Sequence, residues 1–287
     1  MTHPGFSLQL GINRRRQQGE CGQQVEPCAP FVVVQPPGWL GGWNKLTLQL
    51  IQTSNLKLQL QEIEIWRKSM KLSILGATGR TGRLVVEQAL AAGHTVTALV
   101  RSPEKLTIRN SKLRVVTGRA TDAADVARAL ASADALLSTL GGGGSVIADS
   151  TGAMVEAAHK TGVRRVVVLS SVFVERDRLG AVPRLLTGVA MGSAIKDKSA
   201  GEQLLRQSDL DWTIIYASVL KDGPVSGSVE VLPEGAKRRI SDRISRADVA
   251  EWMVQAATSG HFSRRSVGIT EGTRTKENVA LEAVEND

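Results

Sequence analysis

Aromatic side chains make up only 3% of the 287 residues, and Tyr216 is the one tyrosine. So few rings argue against a stacking platform for single-stranded nucleic acid. Cysteine is limited to Cys21 and Cys28, too few for a disulfide framework. Neither has a histidine or a second cysteine pair nearby, so no metal site is expected there. His94, His159 and His261 lie far apart in the chain and follow no ligand spacing. They read as surface residues. No run approaches the roughly 18 apolar residues of a membrane helix. The N-terminus has no apolar core of a secretory signal, so a cytoplasmic protein is expected. The net charge of +8 is spread along the chain rather than gathered. Even the run Lys237-Arg238-Arg239 reads as a solvated loop rather than a nucleic-acid patch. The expected partner is a small-molecule substrate, with neither nucleic acid nor membrane, for a monomer or homodimer.

Composition changes at Met70. Residues 1–69 hold ten glutamines and one alanine, whereas 70–287 hold four glutamines and 29 alanines. Five of nine prolines and both cysteines also precede Met70. Met70 therefore reads as the natural start, and 1–69 as an N-terminal extension, disordered or an artefact of gene calling. A real appendage is the alternative. Two leucine alternations, Leu46–Leu50 and Leu56–Leu60, resemble short strands.

From Met70 onward strand and helix patterns alternate. Strands are expected at 71–75, 95–100, 113–116, 135–139, 165–169 and 212–216, with short ones at 231–232 and 266–270. Helices are expected from the glycine loop to about 92, over 122–130, up to Gly162, around 185–206 and over 247–257. Asp122 is the expected N-cap of the second. Apolar strands separated by helices imply an α/β fold, a Rossmann-like doubly wound parallel sheet covered on both faces. It forms a single domain over 70–270 with small C-terminal substrate-side elements, followed by a polar tail, 271–287. Ligands of such a sheet bind at the carboxyl ends of the strands.

Gly76, Gly79 and Gly82 form a G-x-x-G-x-x-G run between the first strand and its helix. The first glycine permits the tight turn, the second lets backbone approach a pyrophosphate, and the third lets helix and strand pack closely. The helix N-terminus offers free N–H groups and a positive dipole end to phosphates. No Gly-Lys-Ser/Thr follows, so a mononucleotide P-loop is not expected. At the end of the second strand, an NAD site would carry Asp or Glu for the ribose hydroxyls. Arg101 stands there instead, with Lys105 four residues on and Arg80 inside the glycine run. Cations suit a 2′-phosphate, so NADP(H) is expected in preference to NAD(H).

Met70–Arg101, with Gly-Ala-Thr-Gly-Arg-Thr-Gly and a strand ending Leu-Val-Arg, resembles the atypical short-chain dehydrogenases/reductases. Within them it is similar to the NAD(P)H-binding group that includes flavin reductase/biliverdin reductase B and the NmrA-like proteins. Leu169-Ser170-Ser171, residues 205–215, Asp222-Gly223-Pro224 and residues 244–250 continue the likeness, which covers about 70–270. The resemblance implies that Gly76, Thr78, Gly79, Arg80, Thr81 and Gly82 wrap the pyrophosphate. It implies that Arg101 and Lys105 meet the 2′-phosphate, and that Leu140 and Gly141 border the adenosine. Ser171 would lie near the nicotinamide and Phe173 near the substrate, with the loop Ala217-Ser218-Val219 closing over the nicotinamide. Two positions depart from the group. Gly118-Arg119 replaces its usual Gly-Asp beside the adenine, and Tyr216-Ala217-Ser218 replaces Arg-Pro-Gly.

The usual Tyr-x-x-x-Lys pair of short-chain enzymes is absent: Gly192 and Ala194 precede Lys196 and Lys198 by four residues. Ketone reduction by that apparatus is therefore not expected. The two serines lack a Gly-x-Ser-x-Gly elbow, which excludes the usual hydrolase arrangement, and they could simply satisfy strand-end backbone groups. Lys198 reads either as an i,i+4 partner of Glu202 or as a general acid, since some relatives place a catalytic lysine in this region. Conjugated acceptors such as flavins or quinones can take a proton from water once hydride arrives. The expected activity is NADPH-dependent hydride transfer to such an acceptor, with Ser171 and Lys198 as candidate catalytic residues. The alternative is an NmrA-like sensor that binds NADP(H) without turnover.

Overall fold

The computed structural model describes residues 69–272 apart from 143, 144, 234 and 240. The N-terminal extension with its leucine alternations, and nearly all of the polar tail, lie outside the described residues. Among the described residues, ten strands and five α-helices follow in the order β1 (Lys71–Leu75), α1 (Arg80–Ala91), β2 (Thr95–Val100), β3 (Leu113–Thr117), α2 (Ala123–Leu130), β4 (Ala135–Ser138), α3 (Val146–Thr161) and β5 (Arg165–Ser171). Then come α4 (Ala181–Gln207), β6 (Asp211–Ala217), β7 (Val219–Lys221), β8 (Val229–Leu232), β9 (Arg243–Ser245), α5 (Arg246–Ser259) and β10 (Arg265–Glu271).

Local signals account for most boundaries. The Asp122 carboxylate accepts from the N–H groups of Ala124 and Asp125 at the start of α2. Gly162 and Gly260 take left-handed φ values of +77° and +68° directly after α3 and α5. Sheet residues alternate between the two faces. Ile215 and Ala217 pack with α1 and α5, whereas Ile214 and Tyr216 pack with α2, α3 and the end of α4.

The strand order is β3-β2-β1-β4-β5-β6-β10-β8, parallel as far as β10. Strand order reverses beside β1, which places the crevice between β1 and β4 where a doubly wound sheet binds ligands. Two features depart from the sequence reading. β8 pairs antiparallel with β10 and forms one edge, so the sheet is not parallel throughout. Residues 219–221 and 243–245 form a separate two-stranded parallel sheet. Each of these strands has only three residues, too short to show a periodicity.

Two surface readings are corrected. His94 is buried at 3% exposure, and its Nδ1 accepts the Met70 N–H at 3.1 Å. Burial, aided by Lys112, holds its pKa below the ordinary histidine value. That bond ties the start of β2 to the residue before β1. Arg238 is buried at 5%, and its Nε donates to Glu175 at 2.7 Å. Its guanidinium fills the space above Gly268, where an added Cβ would come within 2.5 Å of it. One member of the basic run is therefore a clasp inside the fold, because a carboxylate compensates its burial. Among the described residues no helix is long and apolar enough to cross a membrane.

Candidate functional site

The chain leaves β1 at Leu75 and turns at Gly76, whose φ of +82° favours glycine. Gly79 N–H closes the turn onto the Gly76 carbonyl at 2.9 Å. α1 then starts so close to this turn that a Cβ on Gly82 would lie 2.0 Å from the Gly76 oxygen. Thr139, just past β4, forms the other wall. Its hydroxyl donates to the Leu75 carbonyl at 3.1 Å, and a Cβ on Gly76 would meet it at 2.7 Å. Thr139 escaped the sequence reading because only the β1–β4 pairing brings it to the loop.

The N-terminus of α1 is open. Gly79 occupies the N-cap without a side-chain hydrogen bond, and no acidic residue stands in the first turn. The leading N–H groups of a helix lack intrahelical partners and carry the positive end of its dipole. A glycine turn that only hydrogen side chains permit, facing such a helix end, fits a dinucleotide's diphosphate. Thr78 is half-buried, whereas Thr81 and Gly82 are buried in the cradle. Leu140 is half-buried and Gly141 exposed beyond the end of β4.

Arg101 and Lys105 are both exposed beyond β2. Neither side chain has a hydrogen bond or ion pair within the described residues. Arg83 of α1 reaches the same segment, donating to the Lys105 carbonyl at 3.1 Å. Arg80 points elsewhere than expected. Its guanidinium pairs with Asp222, which also accepts from Arg246 Nη1 at 2.8 Å. At the departure from the group's pattern, the Arg119 N–H is already committed to Asp125 Oδ2 at 2.7 Å. That bond, with Arg128 beside it, holds the Asp125 carboxyl below its usual range. Ala217-Ser218-Val219 is not an open loop. Ala217 ends β6, Val219 starts β7, and Ser218 between them is buried and donates its N–H to Ile269 at 3.0 Å.

A second group of candidate residues lies under α4. Lys198 lines a small pocket with Ile147, Thr151, Leu169, Ser170 and Glu202. Burial pushes its ammonium below the ordinary lysine value, against the opposing pull of Glu202 and Asp197. Ser170, rather than Ser171, stands beside Lys198. Ser171 falls on the alternate position of β5, and its Oγ accepts only the Phe173 N–H, at 3.4 Å. The expected Lys198–Glu202 pair is not a direct ion pair. Glu202 instead accepts the Ser170 hydroxyl at 2.5 Å and the Tyr216 hydroxyl, with Arg206 Nη2 at 3.5 Å. Burial and the Glu202 charge push the Tyr216 phenol well above its ordinary value, so it stays protonated, with its hydrogen on Glu202. Asp197 caps α3, accepting the Ile147 and Ala148 N–H groups at 2.9 Å each. Asp197 was missed, and Glu202 and Asp222 were named without these partners, because helix periodicity and loop composition do not show which strand or helix end a carboxylate will meet.

Comparison with known proteins agrees with this geometry. Residues 76–259 match the family model described as NAD(P)H-binding. The chain is 30% identical over 240 residues to an uncharacterised chloroplastic protein of Arabidopsis thaliana, covering 75% of this chain and 82% of that one. It is 29% identical over 201 residues to the (4-alkanoyl-5-oxo-2,5-dihydrofuran-3-yl)methyl phosphate reductase of Streptomyces griseus, covering 67% of this chain and 64% of that one. The solved structure of ChuY, an anaerobilin reductase from Escherichia coli, superposes with a TM-score of 0.61 at 25% identity, covering 71% of this chain and 98% of that one. With its glycine cradle at the sheet's reversal point and this match over most of the folded region, the chain belongs to the NAD(P)H-binding family.

Proposed function

We propose that this chain is an NADPH-dependent reductase that transfers hydride to a conjugated small-molecule acceptor, flavin- or quinone-like in its electronics. The observation that carries the reading is the open, acid-free start of α1 against the Gly76 turn. A nicotinamide cofactor held there supplies the hydride, and the protein's share is alignment and proton supply. The diphosphate would lie on the backbone from Gly76 to Gly82, with Thr78 and Thr81 lining it. Arg101 and Lys105 would grip the 2′-phosphate, which favours NADPH over NADH because no carboxylate competes for the ribose at the end of β2. Leu140 and Gly141 would border the adenosine. Ser171, Ala217, Ser218 and Val219 would frame the nicotinamide side.

The acceptor class follows from which proton donors are present. Tyr216 is the only tyrosine, and it is buried and bonded to Glu202. A simple ketone needs a strong acid at its oxygen, whereas a conjugated acceptor spreads the arriving charge and needs less help. Lys198 would hold a proton at Nζ for that purpose. The Streptomyces relative is a reductase whose substrate, by its name, carries acyl and oxo groups on a dihydrofuran ring. ChuY is likewise a reductase. Both support the reading. The protein would act in the cytoplasm, as a monomer or homodimer.

The test is kcat/KM against pH for the full chain and its Lys198→Met and Lys198→Arg variants, with NADPH and 2-methyl-1,4-naphthoquinone. A lysine acid works while protonated, so activity should fall as pH rises, with a midpoint below the ordinary lysine value of 10.5 because burial lowers it. Lys198→Met should reduce kcat by no more than about 10²-fold, the low end for a general acid because a conjugated acceptor needs less help, and abolish that limb. Lys198→Arg should move the limb upward. An unchanged profile in Lys198→Met would remove Lys198 from the mechanism.

A further inference from the structure

The Arg80–Asp222–Arg246 cluster stands beside the cradle, and neither Asp222 nor Arg246 has a part in the reading above. α1 and α5 each begin with an arginine, and both arginines meet the one carboxylate of Asp222, just past β7. The two contacts are unequally anchored. The Arg246 side chain is 14% exposed and bonds Asp222 Oδ1 at 2.8 Å, whereas the side chains of Arg80 and Asp222 are 65% and 67% exposed. No packing holds Arg80 to its partner. An exposed ion pair of this kind contributes little, whereas a guanidinium on a phosphate makes charge-assisted, bidentate bonds. Arg80 is the first residue of α1, directly after Gly79, so its long side chain can also turn back across the cradle.

We propose that Asp222 is an affinity-setting residue. It holds Arg80 aside, and a dinucleotide phosphate takes Arg80 from it on binding, while Arg246 keeps the carboxylate in place. Two phosphates could accept Arg80, the diphosphate or the 2′-phosphate, and the comparison of NAD+ with NADP+ separates them. This inference rests on the cradle binding a dinucleotide, as proposed above.

The experiment is calorimetric titration of NADP+ and NAD+ into the full chain and its Asp222→Asn, Arg80→Gln and double variants, at 50 mM and 500 mM NaCl. Asp222→Asn should bind NADP+ about three- to five-fold more tightly at low salt, the scale of one exposed pair. The gain should shrink at high salt and vanish when Arg80 is also glutamine. An equal gain for NAD+ assigns Arg80 to the diphosphate, and a gain for NADP+ alone assigns it to the 2′-phosphate. Unchanged or weaker binding by Asp222→Asn would overturn the exchange and leave Asp222 as a plain strap. So would a gain that persists without Arg80. Asp222→Ser repeats the measurement, with thermal unfolding of each variant as the folding control. If the wild-type chain binds neither dinucleotide, the cradle assignment falls, and this inference falls with it.

Discussion

Replacing Gly82 with alanine should abolish dinucleotide binding and lower stability by about 2–3 kcal/mol, the upper part of the range for overpacking. The new Cβ would lie 2.0 Å from the Gly76 oxygen, 2.6 Å from Thr139 Oγ1 and 2.7 Å from the Gly76 carbonyl carbon. Two of these atoms are backbone, so no side chain can swing away to relieve the contact. α1 must move off β1, and the distance between its first N–H groups and the Gly76 turn must grow. A folded unit of about 200 residues loses roughly 2–4 °C per kcal/mol, so the thermal midpoint should fall by roughly 5–10 °C. Gly152→Ala is the control. Its added Cβ meets nothing within 4 Å on α3, so stability should hold or rise by up to about 1 kcal/mol. Equal behaviour of the two variants in thermal unfolding and NADP+ titration would refute the close approach of α1 to the turn.

Arg101→Glu should reverse the cofactor preference. A guanidinium bonded to a phosphate contributes about 1.5–3 kcal/mol, and a carboxylate in its place adds repulsion. It also restores the acid that ribose hydroxyls use in NAD sites. The ratio of NADP+ to NAD+ affinity should therefore drop by at least about 100-fold, mostly through loss of NADP+ binding. The Arg101 side chain is exposed and bonds no described group, so the thermal midpoint should not move. A preference unchanged by the substitution would place the 2′-phosphate elsewhere, with Arg83 and Lys105 the next cations to replace.

Much of this molecule was legible from local pattern. β2 and α2 lie where periodicity and the Asp122 cap put them, because apolar alternation and capping act within a few residues. The Gly76–Gly82 turn was equally legible, since its steric demand is carried by the glycines themselves. What escaped depends on distant partners. His94 is buried because the Met70 N–H, 24 residues back, supplies its bond. Arg238 turns inward because Glu175, 63 residues earlier, meets it there. β7 and β9 exist only as a pair, with Leu220 opposite Ile244. Arg80 was expected on the 2′-phosphate side, and it is Asp222, 142 residues away, that redirects it. The same limit explains the serines. The sequence placed both at the end of β5, but only strand alternation and the position of α4 put Ser170 rather than Ser171 beside Lys198.

The central claim is hydride transfer from NADPH, and steady-state oxidation tests it most directly. NADPH and NADH would be offered in parallel to the full chain with a panel of flavins, quinones and acyl-dihydrofuranones. The account predicts saturable turnover with at least one panel member, NADPH preferred, and no turnover of simple ketones. A chain that binds NADPH in titration yet oxidises it with no acceptor of the panel would contradict the account and favour an NmrA-like redox sensor.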